Sequence, residues 1–253
     1  MLDLHVHLIG ERDRPATKDN IRAYLDQAVR KGLKEIGFAD HDLYWEDLRL
    51  ELFKEVAPEY PELAVRVGLE VDYRLQDESK IRALLNSFPF DFVIGSVHEI
   101  EGWAFDLPGE EKIHRDKDAD TLYREYFTLV AQAARSKLFT TIGHFDLIKI
   151  FGVRPRTDVL RLADEALTAV EENDCALEIN TNGRYKPIGE FYPEKRLVAE
   201  IQRRGIAITL GSDAHRPEVV GRDLDEVVEE LKLAGVKEIV GFKGRKQALY
   251  LLG

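Results

Sequence analysis

The sequence predicts an α/β fold in which seven strand–helix units wind into a closed or nearly closed parallel barrel, as a single domain over residues 1–253. Three observations carry this expectation. Short apolar runs alternate with amphipathic helical stretches from end to end, which implies a parallel sheet built from βα units. Seven such units in 253 residues suit a barrel better than an open, doubly wound sheet. No Gly-x-Gly-x-x-Gly follows the first strand, which removes the dinucleotide-binding alternative.

The elements follow in order. The first strand, residues 2–8, carries His5 and His7 two residues apart, so both imidazoles leave one face of it. After a polar loop, residues 18–31 read as a helix: Ile21, Tyr24, Leu25, Ala28 and Val29 form its apolar stripe and Gly32 its stop. The second strand, 35–41, ends on Asp40 and His41, and a helix over 46–56 stops before Pro58. The third strand, 64–71, carries Glu70 near its end, with a short helix over 77–86 after it. The fourth, 92–98, ends on His98 and opens into a long loop, 99–117, holding Trp103, Phe105, Asp106 and His114. A helix over 119–135 leads to the fifth strand, 140–144, which ends on His144. The loop 145–157 contains Lys149, Arg154 and Arg156. Then come a helix over 158–172, the sixth strand 176–181 with Glu178 and Asn180, and a helix over 194–204. The seventh strand, 206–213, ends on Asp213, with His215 two residues on. A helix over 222–234 and a short strand at 237–241 precede an expected closing helix.

Composition narrows the function. The net charge of −11 argues against a nucleic-acid partner, which needs a basic face. No run approaches the roughly 20 apolar residues of a membrane span, so no membrane partner and a cytoplasmic location are expected. The one cysteine, Cys175, excludes an intrachain disulfide and, in an apolar run, reads as a buried structural thiol. The oligomeric state is left open, a homo-oligomer included.

The polar residues fall at the C-terminal ends of the strands, where βα barrels carry their working groups. Six of the 7 histidines stand there, with Glu70 and Asp213. Converging imidazoles and carboxylates are the ligands of a divalent transition metal. Asp40 reads either as a partner orienting His41 or as a cap or surface residue. Glu178 and Asn180 read either as substrate contacts or as barrel filling. His114, in the charged stretch Glu110–Asp116, reads as a surface residue.

In order, the set His5-Val6-His7, Ala39-Asp40-His41, Gly68-Leu69-Glu70, Gly95-Ser96-Val97-His98, Gly143-His144 and Ser212-Asp213-Ala214-His215 resembles the PHP (polymerase and histidinol phosphatase) metallohydrolases. Within that family the chain looks most like the monofunctional histidinol-phosphate phosphatases, through Gly102-Trp103, Phe105-Asp106, residues 143–148, Glu178-Ile179-Asn180-Thr181 and Tyr192-Pro193. The resemblance implies a distorted (β/α)7, TIM-like barrel holding two or three divalent ions, zinc, iron or manganese. By position, His5, His7, Glu70 and Asp213 would hold one ion. Glu70 would bridge to a second, held by His98 and His144, and His41 and His215 would hold a third. Family members place another histidine eight residues after the first. Asp13 stands there in this chain and is the expected substitute ligand, with Glu11 nearby.

The implied activity is hydrolysis of a small phosphorylated substrate, L-histidinol phosphate, by activated water, with Glu70, Asp213 and His215 at the catalytic centre. Arg154 and Arg156 are candidates for a phosphate clamp, and Asp106 for the substrate amine. The alternatives are a PHP phosphoesterase acting on phosphotyrosine or a nucleotide, and a non-catalytic metal-binding scaffold. An amidohydrolase is disfavoured because no strand-end lysine is suited to bridging two metals, a role Glu70 fills.

Overall fold

The apolar runs form a parallel sheet because each is short, rich in branched side chains and bounded by helices that cover it. This computed structural model describes residues 1–252; the final residue of the 1–253 reading lies outside them. The chain opens with β1 (Leu2–Val6), α1 (Lys18–Arg30), β2 (Glu35–Phe38) and α2 (Glu51–Val56). It continues through β3 (Ala64–Asp72), α3 (Glu78–Ser87) and β4 (Phe92–Ser96) to a small hairpin, β5 (Glu99–Ile100) and β6 (Trp103–Ala104). Next are α4 (Glu111–Asp116), α5 (Ala119–Arg135), β7 (Thr141–Ile142), α6 (Val159–Glu172), β8 (Ala176–Asn180) and α7 (Lys195–Arg204). The chain closes with β9 (Ile208–Gly211), α8 (Leu224–Leu233) and the hairpin β10 (Glu238–Lys243) and β11 (Lys246–Leu251).

Seven strands hydrogen-bond in the order β1-β2-β3-β4-β7-β8-β9. A parallel bridge from Val6 to Ala214 joins the first strand to the segment leaving the last. Its bonds run from the His7 N–H to the Ala214 carbonyl (2.9 Å) and from the Ala214 N–H to the His5 carbonyl (3.2 Å). This is the (β/α)7 barrel order that the repeated units predict.

The chain packs as two compact units, one of residues 1–71, 89–94 and 208 onward, the other of 72–88 and 95–207. Three segments against two means that the chain crosses four times, and two crossings fall inside β3 and β4. None lies in a Pro/Gly/Ser-rich linker, so composition carries no mark of the division.

In the first unit α1 buries Ile21, Tyr24, Leu25 and Ala28, and the side chain of Thr17 caps its start by accepting from the Asn20 N–H. The Tyr24 hydroxyl donates to the His7 carbonyl (2.8 Å), so the helix fixes the backbone at the end of β1. Gly37 and Gly68 let the ring of Phe92 lie against neighbouring strands: a Cβ on either would stand 2.6 or 2.5 Å from that ring. Gly68→Ala should therefore destabilise the protein by about 1–3 kcal/mol through overpacking, read by denaturant unfolding. A change below about 0.5 kcal/mol would show that the ring has room to move.

The C-terminal segment corrects the sequence reading, which expected a strand over 237–241 and a closing helix. Gly244 and Arg245 both have positive φ (56° and 62°), the backbone of a two-residue hairpin turn, so residues 246–251 fold back as β11. Buried Glu35 fastens this hairpin: it accepts from the Phe242 N–H (3.2 Å), the Tyr250 hydroxyl (2.6 Å) and Arg66 (3.1 Å).

In the second unit α5 starts on a cap at Asp118 and buries Leu122, Tyr123, Tyr126, Phe127 and Val130. The stretch expected as a loop, 99–117, contains the β5–β6 hairpin and α4. His114 is the clearest correction there: it is fully buried rather than on the surface. Its Nε2 donates to the Phe105 carbonyl (2.8 Å), and Trp103, Phe105 and Phe151 surround its ring. The charged neighbours that suggested exposure occupy the outer face of α4. The helix expected over 46–56 is shorter, a 3₁₀ turn over Asp42–Asp47 followed by α2. Cys175 is buried as expected, and burial pushes its thiol pKa up to about 12.

Candidate metal centre

β1 delivers His5 and His7, both fully buried, to the ends of its neighbours. His5 Nε2 lies 3.3 Å from Glu70 Oε2 and 4.0 Å from Asp213 Oδ1. His7 Nε2 lies 3.6 and 3.3 Å from the same two atoms. His41, just past β2, places Nδ1 2.9 Å from Glu70 Oε2. The ring of His215 stacks on that of His7, centroids 4.1 Å apart, with Nδ1 3.4 Å from Asp213 Oδ1.

Buried Asp3 builds the turn that presents Asp213 and His215. It accepts from the Ser212 N–H and hydroxyl (2.9 and 2.5 Å) and from the Gly221 N–H (2.8 Å). Within that turn Asp213 adopts φ 52°, a conformation unusual for a non-glycine residue and common where a site imposes geometry.

These donors fit a divalent cation. Ligand atoms about 2.0–2.2 Å from one tetrahedral ion stand about 3.3–3.6 Å apart, the spacing found here. The ligand atoms of His5, His7 and Asp213, and those of His7, His41 and His215, all lie within 4.8 Å of one another. Burial holds the His7 pKa well below its usual range, reinforced by His215, so the ring is in the neutral form that ligates metals.

The second unit carries its own pair. His98 Nε2 lies 3.3 Å from His144 Nε2, and His98 Nδ1 lies 2.5 Å from Asp72 Oδ1. Ser96 Oγ is 3.4 Å from His144 Nε2. Glu178 Oε2 accepts from the His144 N–H (2.8 Å) and from the Asn180 side chain (3.2 Å). Glu178 and Asn180 thus brace the His144 backbone, which has φ 25°.

Several expected residues have partners other than those the sequence suggested. Asp13 is more than half exposed and pairs with Arg14 (3.2 Å). Glu11 instead lies 3.8 Å from His41 and 3.7 Å from His215, steadied by the Tyr44 hydroxyl (2.9 Å). The loop turns at Gly10 and Arg12, both with positive φ, which brings Glu11 rather than Asp13 towards the two histidines. The oxygens of buried Asp40 accept from the N–H groups of Leu8 and Ile9 (3.0 and 2.8 Å), fixing the chain beyond β1. Arg154 is engaged by Glu190 (2.6 Å) and Glu194 (2.7 Å). Arg156 is exposed, and its backbone N–H donates to Asp120. Asp106 is half-buried in the loop beside His114. Asp72 was missed, although its signal is that of the first strand: it stands two residues after Glu70, on the same strand face.

A parallel (β/α)7 sheet with imidazoles and carboxylates gathered at its C-terminal strand ends is the architecture of barrel metalloenzymes. The chain belongs to the PHP family: the PHP domain matches residues 3–182. It is 38% identical over 239 residues to a probable histidinol-phosphatase of Deinococcus radiodurans, covering 89% of this chain and 91% of that protein. It is 28% identical to the histidinol-phosphatase of Lactococcus lactis, covering 97% and 95%. The crystal structure of histidinol phosphate phosphatase from Lactococcus lactis, complexed with zinc, L-histidinol and phosphate, matches with a TM-score of 0.78 at 26% identity, over 98% of each chain.

Proposed function

We propose that this chain is a metal-dependent phosphomonoesterase that hydrolyses L-histidinol phosphate to L-histidinol and phosphate, in the histidine biosynthetic route. The observation that carries the reading is the convergence of His5, His7, His41, Glu70, Asp213 and His215 in a chain similar, end to end, to an enzyme structure holding zinc, L-histidinol and phosphate. His5, His7, Glu70 and Asp213 are assigned to one ion, and His98 and His144, within the second unit, to another. His41, His215 and Glu11 are assigned to a third.

Divalent ions held by these residues would supply Lewis acidity and activate water for attack on the phosphate ester. The chain's own residues set the geometry. Asp3 and the Val6–Ala214 bridge lock the segment bearing Asp213 and His215 to β1, and Tyr24 fixes the His7 backbone. Glu70, Asp213 and His215 are thereby held at fixed places relative to His5 and His7, which would reduce the reorganisation needed at the transition state. No nucleophilic serine or cysteine takes part in this scheme. Arg154 is held by Glu190 and Glu194, so it would have to leave these carboxylates to clamp a phosphate. The Asp106 carboxylate stays with the proposal as a contact for the substrate amine, and an anionic protein suits that cation. A cytoplasmic enzyme is proposed with it; among the described residues no helix is long and apolar enough to cross a membrane.

A substrate panel run with defined zinc, iron or manganese tests the reading. The value of kcat/KM for L-histidinol phosphate should stand well above those for p-nitrophenyl phosphate and nucleoside monophosphates; parity would remove the substrate assignment and leave a general phosphoesterase. The third ion has its own test. Glu11→Gln should lower metal content by close to one ion per chain while Asp13→Asn leaves it unchanged, and the reverse pattern in elemental analysis would restore Asp13 as the ligand.

A further inference from the structure

We infer that Asp72 is the positioning residue for His98, fixing which ring nitrogen faces the divalent ion shared with His144; the ion's part in turnover rests on the phosphatase reading above. Asp72 is the last residue of β3, and His98 lies two residues beyond β4. Their side chains meet at 2.5 Å, Nδ1 to Oδ1. A carboxylate only accepts, so the proton of this bond belongs to Nδ1. A neutral imidazole has one N–H, and the lone pair is therefore left on Nε2. That nitrogen is the one 3.3 Å from His144 Nε2, the separation of two ligands on one tetrahedral ion.

The carboxylate is itself held. Its other oxygen, Oδ2, takes Arg74 Nη2 at 3.4 Å, and Arg74 Nε reaches Glu99 Oε2 at 3.4 Å. The series Glu99, Arg74, Asp72, His98 thus runs from a half-exposed rim to the ligand atom and restrains rotation of both the carboxylate and the ring. Partners of this kind orient a histidine and raise its basicity towards the metal.

Asp72→Asn tests the inference, because an asparagine can turn its NH₂ to Nδ1 and drive the ring proton to Nε2, the ligand atom. Two readouts are needed on the full chain. Nitrogen-detected NMR of the metal-free protein should find His98 as the Nδ1–H tautomer in the parent and as Nε2–H in the variant. Zinc competition against a chelator of known affinity should find the binding at this site weakened on the order of 10–100-fold in the variant. Binding at the site of His5, His7 and Asp213 should hold. Arg74→Ala should weaken it less, by leaving Asp72 in place but free to rotate.

An Nε2–H tautomer in the parent, or unchanged zinc affinity in a folded Asp72→Asn chain, would overturn the inference. If the variant does not fold, the parent's tautomer decides alone. Neither readout uses a substrate. An inactive protein with the expected tautomer and affinity therefore contradicts the phosphatase reading only, and an active one with the opposite tautomer contradicts Asp72 only.

Discussion

His7→Ala should lower kcat/KM for a phosphate ester by about 10³-fold or more, because a Lewis-acid ion contributes several kcal/mol to the transition state and His7 serves two ligand groups at once. Its Nε2 is 3.3 Å from Asp213, its ring stacks on His215, and it lies within ligand distance of both His5 and His41 sets. The fold should survive. The His7 backbone is held by its bond to Ala214 and by the Tyr24 hydroxyl, neither of which involves the imidazole. The loss should therefore appear as a smaller rise in unfolding temperature on adding zinc than the parent shows, since an ion that binds only the native state stabilises it by mass action and the site of His98 and His144 remains. Thermal unfolding with and without zinc, beside steady-state rates, separates the cases. Equal zinc stabilisation and retained turnover would remove His7 from the ligand set.

Glu70→Gln should cost at least as much activity without weakening the metal-free fold. Glu70 is almost fully buried, with one oxygen 2.9 to 3.6 Å from the imidazoles of His41, His5 and His7. A carboxylate in such surroundings is costly unless a cation meets it, whereas an amide of the same shape is far less so. The metal-free variant should be as stable as the parent or more stable, and the zinc-loaded variant less stable, with turnover down by about 10³-fold. This crossed pattern is hard to produce by simple damage to packing. Parallel destabilisation of both forms would mean that Glu70 is a structural residue.

Much of this was legible in the sequence, for identifiable reasons. The strand pattern reported the fold because parallel strands covered on both sides read as short apolar runs. Polar residues at the ends of such runs, His5, His7, His41, Glu70, His98, His144 and Asp213, cannot be explained by the core and so mark the centre. What stayed hidden depended on the path of a loop or the turn of a backbone. Glu11 and Asp13 are equivalent as letters, and only the left-handed residues Gly10 and Arg12 decide which carboxylate meets His41 and His215. The closing hairpin was unreadable because Gly244-Arg245 is a weaker turn signal than Asn-Gly, and the alternation of β11 leaves Leu249 and Leu251 exposed. His114 misled because polar neighbours on a short helix say nothing about its inner face. Asp40 could be read from sequence either as a partner of His41 or as a cap or surface residue; its buried carboxylate instead takes the backbone N–H groups of Leu8 and Ile9, contacts that no sequence spacing reports.

If hydrolysis runs on ions held by these side chains, metal content and activity must rise and fall together. Purified protein would be stripped with a chelator, analysed for metal content, and titrated with zinc while L-histidinol phosphate hydrolysis is followed. At least two divalent ions per chain are expected before stripping, with loss of hydrolysis without them and recovery that tracks the ions rebound. Hydrolysis undiminished in protein shown to hold no metal would contradict this dependence.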